Sequence, residues 1–287
     1  MRQLTLAAAL ALLTACPGRG IEYEGGPGGE GGDDTAPIEV SECGADLDLT
    51  TGINIKGIGL DVGTGELLTW GEDTGSTALC VSAIDPTPAV TGGVPTTLVA
   101  STMCEDGSFV LAGIEEIPAS GIMVQIEDCN EEGTVMRSVS GVAADQFEGF
   151  GPGDTLEGVV ARSLDIATRD AWHTELDGYG YGHDLGVDGF LAGYVLDSSE
   201  AEVSGAQVTC GGCSDRPTWY ADGDASDGVF ATGANANTTS DAAGDSFFII
   251  PAARITTYTC SDASHDWEGT LLGSLAGYGV FIRFIAN

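Results

Sequence analysis

The chain has 287 residues, with 9 Lys and Arg against 44 Asp and Glu and a formal charge of −35 at pH 7. That balance excludes nucleic acid as a partner, because phosphate contacts need a basic face. Hydrophobic residues at 43% suffice for a packed core, which excludes wholesale disorder despite the charge, and the length admits one or two domains. The 44 Gly with only 18% charged residues point to short strands and many turns.

The chain opens with Arg2 and an apolar Leu/Ala-rich run over residues 4–15. This run is too short to span a bilayer as a helix and has the length of a signal h-region. It ends Leu13-Thr14-Ala15-Cys16, which resembles the bacterial lipobox. The resemblance implies cleavage after residue 15 and a diacylglycerol on the Cys16 thiol; an ordinary secretory signal that happens to contain a cysteine is the competing reading. An Asp after the lipidated cysteine retains such lipoproteins in the inner membrane. Pro17 stands there instead, which implies the outer membrane or cell surface. Residues 16–42 follow as an acidic, Gly- and Pro-rich stretch that cannot bury enough apolar surface to offset its ordering entropy, so they read as a disordered tether.

From residue 43 short β-rich runs alternate with Gly/Asp/Thr/Pro clusters, an all-β texture. Strands are predicted near 52–61, 77–84, 95–101, 107–112, 121–127, 134–142 and 158–164, and again near 189–197, 205–210, 228–232, 245–250, 254–260 and 279–285. In 121–127, Ile122, Val124 and Ile126 alternate with Met123, Gln125 and Glu127, the period of a half-buried strand. The halves align: IKGIGLDVGTGE at 55–66 matches LAGYVLDSSEAE at 191–202. Both continue through a cysteine-bearing strand, an acidic Gly turn, Ser-Phe, Pro-Ala and a strand reaching a cysteine. The fold expected is two tandem β-sandwich domains, over 43–145 and 188–287, with a connector over 146–187. In the connector, Asp165 can cap a short helix near 166–176 whose packed face would carry Ala167, Ala171, Trp172 and Leu176.

The second half carries Gly-x-Val-x-Asp at 193–197, Val-Ser-Gly-Ala-x-Val at 203–208, a Thr/Asp/Gly turn at 239–244, Ser-Phe-Phe, Pro251 and a strand with Tyr258. This pattern resembles the carboxypeptidase regulatory-like domain, a transthyretin-like sandwich of about seven strands. The resemblance implies a fold and no activity, since such domains sit beside a catalytic domain for which this chain has no room.

Cys16 apart, seven cysteines remain, and an exported chain reads as disulfide-bearing. Equivalent strands in the two halves suggest Cys80–Cys129, and Cys210 or Cys213 with Cys260; Cys43–Cys104 then follows by elimination. Cys210-Gly-Gly-Cys213 also has the spacing of half a zinc site, with Cys260 and His265 the only further ligands at hand.

Catalytic motifs are sparse. Lys56 is the sole lysine, the histidines are His173, His183 and His265, and neither Gly-x-Ser-x-Gly nor His-Glu-x-x-His occurs. His173, Glu175, His183 and Asp184 lie close in sequence but match no metal spacing. Asp222, Asp224 and Asp227 have the alternating oxygens of a calcium loop, but Asp227 stands where an EF-hand has Gly and Gly233 where it has Glu. That leaves an irregular calcium site or a solvated turn, and no other cofactor is expected. Beside it, Trp219 and Tyr220 suit either carbohydrate stacking or burial against the sandwich. The function expected is that of a non-enzymatic, lipid-anchored envelope protein. It would meet the membrane through its lipid, and an envelope protein or polysaccharide through its loops. The alternative is an exported metal-dependent hydrolase built on His173, His183 or the Asp222 loop.

Overall fold

The computed structural model describes residues 44, 46–71, 78–130, 133–211, 215–222, 228–230, 237–239 and 246–286. The predicted signal and tether, with Cys16, Cys43, Cys213, Asp224 and Asp227, lie outside the described residues. The first half supplies β1 (Ile53–Asp61), β2 (Leu79–Asp85), α1 (Thr87–Val90), β3 (Thr96–Thr102), β4 (Ser108–Ile114), β5 (Ile122–Asp128), β6 (Ser138–Val142) and β7 (Thr155–Ser163). Helices α2 (Ile166–Gly178) and α3 (Leu185–Asp188) follow. The second half supplies β8 (Phe190–Leu196), β9 (Gln207–Cys210), β10 (Trp219–Tyr220), β11 (Phe247–Pro251), β12 (Thr256–Ser261), β13 (Thr270–Leu272) and β14 (Gly279–Ile285).

The fold is all-β, and the repeat seen in the sequence is a repeat of topology. Strand β1 runs antiparallel to β4 and parallel to β7; β8 runs antiparallel to β11 and parallel to β14. Likewise β2 pairs with β5 and β5 with β6, as β9 pairs with β12 and β12 with β13. The halves differ in their third strand, for β3 joins β2 whereas β10 joins β11.

The glycine shared by IKG and LAG has a physical reason in both places. A Cβ on Gly57 would lie 2.0 Å from the Val159 carbonyl oxygen, and one on Gly193 would lie 2.0 Å from that of Ile282. Each glycine thus lets the central strand approach its parallel neighbour. The aspartate that closes each motif is also structural. Asp61 Oδ1 accepts the Thr64 N–H at 2.8 Å, and Asp197 Oδ1 accepts those of Ser199 and Ala201 at 2.7 and 3.0 Å. Both carboxylates fold the turn that follows their strand.

The two sandwiches are not separate beads. Strand β14 pairs in parallel with β6, Gly279 against Ser138 and Phe281 against Ser140. The result is one eight-stranded sheet, ordered β10-β11-β8-β14-β6-β5-β2-β3, with β4-β1-β7 facing one end and β13-β12-β9 the other. The first core packs Ile55, Phe109 and Leu111 against Val81, Val124 and Ile126. The second packs Leu191, Phe248 and Phe284 against Val208 and Tyr258, and takes in Ile84 and Val139 of the first half. Strand β7 sits in the first sandwich, so the segment expected as connector is narrower than 146–187 and consists of α2 and α3.

The expected helix forms, and the Asp165 carboxylate accepts the Thr168 N–H at 2.9 Å as its cap. Its packed face is corrected. Trp172 and Leu176 are buried, while Ala167 and Ala171 are exposed. The buried pair covers the outer face of the long sheet at Phe190, Phe247 and Phe281, forming a third core with Phe230. Each large side chain fully buried there contributes about 2 kcal/mol.

Cys80 and Cys129 form the expected disulfide, with Cα atoms 4.9 Å apart. The second expected bond is corrected: Cys260 is a free, buried thiol, while Cys210, like Cys104, is disulfide-bonded. The two positions are equivalent, for Cys80 stands opposite Glu127 and Cys210 opposite Tyr258, each two residues short of the second cysteine, and the Cys129 N–H extends the β2–β5 pairing to the Ala78 carbonyl at 3.0 Å. Cys260 lies inside the β12 ladder opposite Val208, which holds its backbone in register, while Tyr258 stands opposite Cys210. Burial, with Asp262 nearby, pushes the Cys260 thiol far above its ordinary pKa, so it lacks the thiolate needed for exchange. We expect iodoacetamide to leave Cys260 unlabelled in the native chain and to label it on unfolding without reductant; peptide mapping would read both.

Candidate functional site

The region that gathers the sequence candidates is the cap of α2 over the second sandwich. Tyr220 is 1% exposed, and its hydroxyl accepts the Val208 N–H at 2.7 Å. Burial, the largest influence, raises its phenol pKa far out of reach of neutral pH. It is a core residue, which is the burial alternative of the two that the sequence left open and removes it from the binding-loop candidates. Strand β10 pairs residue 219 with Ile249 and residue 220 with Phe248, and alternation then sends the two rings to opposite faces. Trp219 points to the helix side and stacks on Tyr179 at 5.4 Å between ring centroids and 24° between planes. The aromatics of this loop therefore fold back onto the sandwich, the second of the two readings.

The acidic loop leaves the sandwich through a clamped stem. Ala221 bridges to Phe230, and the Glu175 carboxylate of α2 accepts the N–H groups of Val229 and Phe230 at 2.8–3.0 Å. Gly228, at φ +127°, comes so close to this carboxylate that a Cβ there would lie 2.5 Å from it. Asp222 follows the stem half-buried and partnered. The function of Glu175 at this place was not legible beforehand, because its two donors lie 54 and 55 residues along the chain.

His183 and Asp184 are also spent locally. His183 Nδ1 lies 3.2 Å from Asp188 Oδ2, and Asp184 caps α3 by accepting the Gly186 and Val187 N–H groups. His173 Nδ1 is buried without a partner. His173, Glu175, His183 and Asp184 do not converge, and among the described residues no three His, Cys, Asp or Glu side chains gather as a metal site would require. An open cleft of about 310 Å³ lies on the first sandwich between Thr97, Leu98, Gly113, Glu115 and Glu116. Among the described residues no helix is long and apolar enough to cross a membrane.

One polar cluster stands out at the end of β12. Asp262 Oδ1 accepts the Trp267 indole N–H and the His265 backbone N–H, both at 3.0 Å, and Oδ2 lies 2.6 Å from His265 Nδ1. Burial pushes the Asp262 pKa up, but these hydrogen bonds outweigh it and hold the carboxyl at about 2. A folded pKa below the unfolded one adds stability above about pH 4 that is lost as pH falls toward 2. We expect Trp267 fluorescence to change in that window, and Asp262→Asn to abolish the change while leaving the neutral-pH fold intact.

No family model matches the chain, and no curated protein does. Solved structures similar to it include the shaft pilin SpaA of Lactobacillus rhamnosus GG, at 11% identity and TM-score 0.22, over 82% of this chain and 96% of the pilin. The Bacillus anthracis TIE protein is similar at 8% identity and TM-score 0.23, over 83% of this chain and 34% of that one. A streptococcal ancillary pilin is similar at 8% identity and TM-score 0.21, over 82% and 62%. Such TM-scores describe no common superposition, and the all-β architecture rests on this chain's own strands.

Proposed function

We propose that this is a non-enzymatic, lipid-anchored envelope protein whose paired sandwiches serve as a rigid binding or spacing module. The observation that carries the structural part is the β6–β14 pairing. It fuses two sandwiches through main-chain hydrogen bonds instead of a hinge, so the body transmits position as one piece. The candidate catalytic side chains support a non-enzymatic role, because Glu175, His183 and Asp184 are engaged in holding loops and helix ends. The anchor rests on Leu13-Thr14-Ala15-Cys16 and the acidic tether behind it. The carboxypeptidase regulatory-like reading of the second half is supported by the seven strands among its described residues and by the turn-forming role of Asp197. A calcium ion at Asp222, Asp224 and Asp227 remains part of the proposal, to be read by calorimetric titration of the purified chain.

The test of the anchor is Cys16→Ser. The variant should leave the membrane fraction or accumulate unprocessed, and radiolabelled palmitate should mark only the parent chain. A variant that is cleaved normally and still sediments with membranes would overturn the lipid anchor.

A further inference from the structure

Residues 86–104 form the longest charge-free run in a chain that carries 53 acidic and basic side chains. The run begins with α1, passes an exposed turn where Val90 and Val94 are 46% and 79% exposed, and becomes β3. Among the described residues strand β3 is the last strand of the eight-stranded sheet, and none of them pairs with the outer side of its backbone in that sheet. Proteins blunt such edges with charges, internal prolines or bulges. Here a bulge lies between Val99 and Thr97, and Glu115 and Glu116 stand across the open cleft from Thr97 and Leu98. Residues 99–102 keep regular register with β2 and carry none of these guards. The opposite end of the sheet, β10, has only two residues and offers little to pair with.

The charge pattern identifies the occupant. A basic partner would be drawn to an acidic surface anywhere and would gain nothing from a neutral strip. A neutral strip is needed only where the approaching surface is itself strongly acidic, as a second copy of this chain is. We propose that the β3 edge is a self-association surface on which residues 99–101 of two copies pair antiparallel, extending the sheet across a two-fold axis. The two-fold axis sets Ala100 opposite its own copy and Val99 opposite Ser101, all small and uncharged pairs. The flanking acidic surfaces oppose this contact at low salt. Screening shortens their reach from about 10 Å at 0.1 M to about 3 Å at 1 M, so the dimer is salt-permitted. This surface is independent of the lipid anchor.

The experiment is sedimentation velocity of the full chain in detergent at 0.1 M and 1 M NaCl, with Ala100→Asp and Ala100→Lys beside the parent. Ala100 is exposed, so neither variant disturbs a core. The parent should shift from monomer toward dimer as salt rises. Each variant should weaken its own dimer by at least about tenfold, since like charges then face each other across the axis. An equimolar mixture of the two should recover a heterodimer, which a mere folding defect would not allow. A parent that stays monomeric at 1 M salt would overturn the proposal, as would a dimer indifferent to both substitutions or a mixture that does not recover.

Discussion

A Gly193→Ala chain is expected to be about 3 kcal/mol less stable than the parent in urea denaturation, the upper end of what overpacking a well-filled interior costs. The added methyl would meet the Ile282 carbonyl oxygen at 2.0 Å and its carbon at 2.9 Å, and a backbone atom cannot rotate aside as a side chain can. Strand β14 would have to move, and β14 also holds β6, so the lesion should loosen the junction of the sandwiches as well as the second core. Gly57→Ala should act likewise in the first sandwich, where the methyl would meet both the Val159 carbonyl oxygen and the Phe109 ring. Gly141 in β6 is the control. A Cβ there meets nothing within 4 Å, so Gly141→Ala should be neutral or stabilising by about 0.5 kcal/mol. Equal stabilities for the Gly193 and Gly141 variants would contradict the close approach of the parallel strands.

Removing the Cys80–Cys129 bond by double substitution to Ala is expected to lower stability by about 4 kcal/mol, the loop-closure entropy for a separation of 49 residues. The bond ties β2 to the end of β5, two central strands of the first sandwich, so the unfolded chain gains freedom over most of that sandwich. Cys260→Ala makes the comparison, because it deletes a buried thiol without deleting a cross-link. Chemical denaturation of the oxidised proteins should separate the two clearly. A double variant no less stable than Cys260→Ala would show that the unfolded chain is already held compact by other means.

Local physics was legible in the residues. Alternation in 121–127 and the Gly/Asp/Thr turns marked the strands, because a two-residue period and turn chemistry are properties of neighbouring residues. The repeat at 55–66 and 191–202 located two equivalent central strands, and its glycines and aspartates keep equivalent tasks in both. The Asp165 cap was readable for the same reason, its donor lying three residues away. The face of α2 was less so, since Ala167 and Ala171 are small enough to sit on either side of a helix, and what buries Trp172 and Leu176 is an aromatic surface supplied by β8, β11 and β14. Strand β13, of three residues, and β10, of two, are too short to show a period, and only their neighbours make them strands. Tyr220 reads from sequence as loop or core alike; the Val208 backbone amide that holds its hydroxyl decides for the core. The same limit governed the cysteines. Equivalence between halves identified Cys80 with Cys129, whereas Cys260, at the equivalent register, stays reduced because the Cys210 sulfur is already in a disulfide with another cysteine. Above all, the chain alone determined two sandwiches, and the tertiary structure alone joined them. The β6–β14 pairing is made by backbone groups, whose hydrogen bonds are the same whatever the side chains, between segments that no local pattern relates.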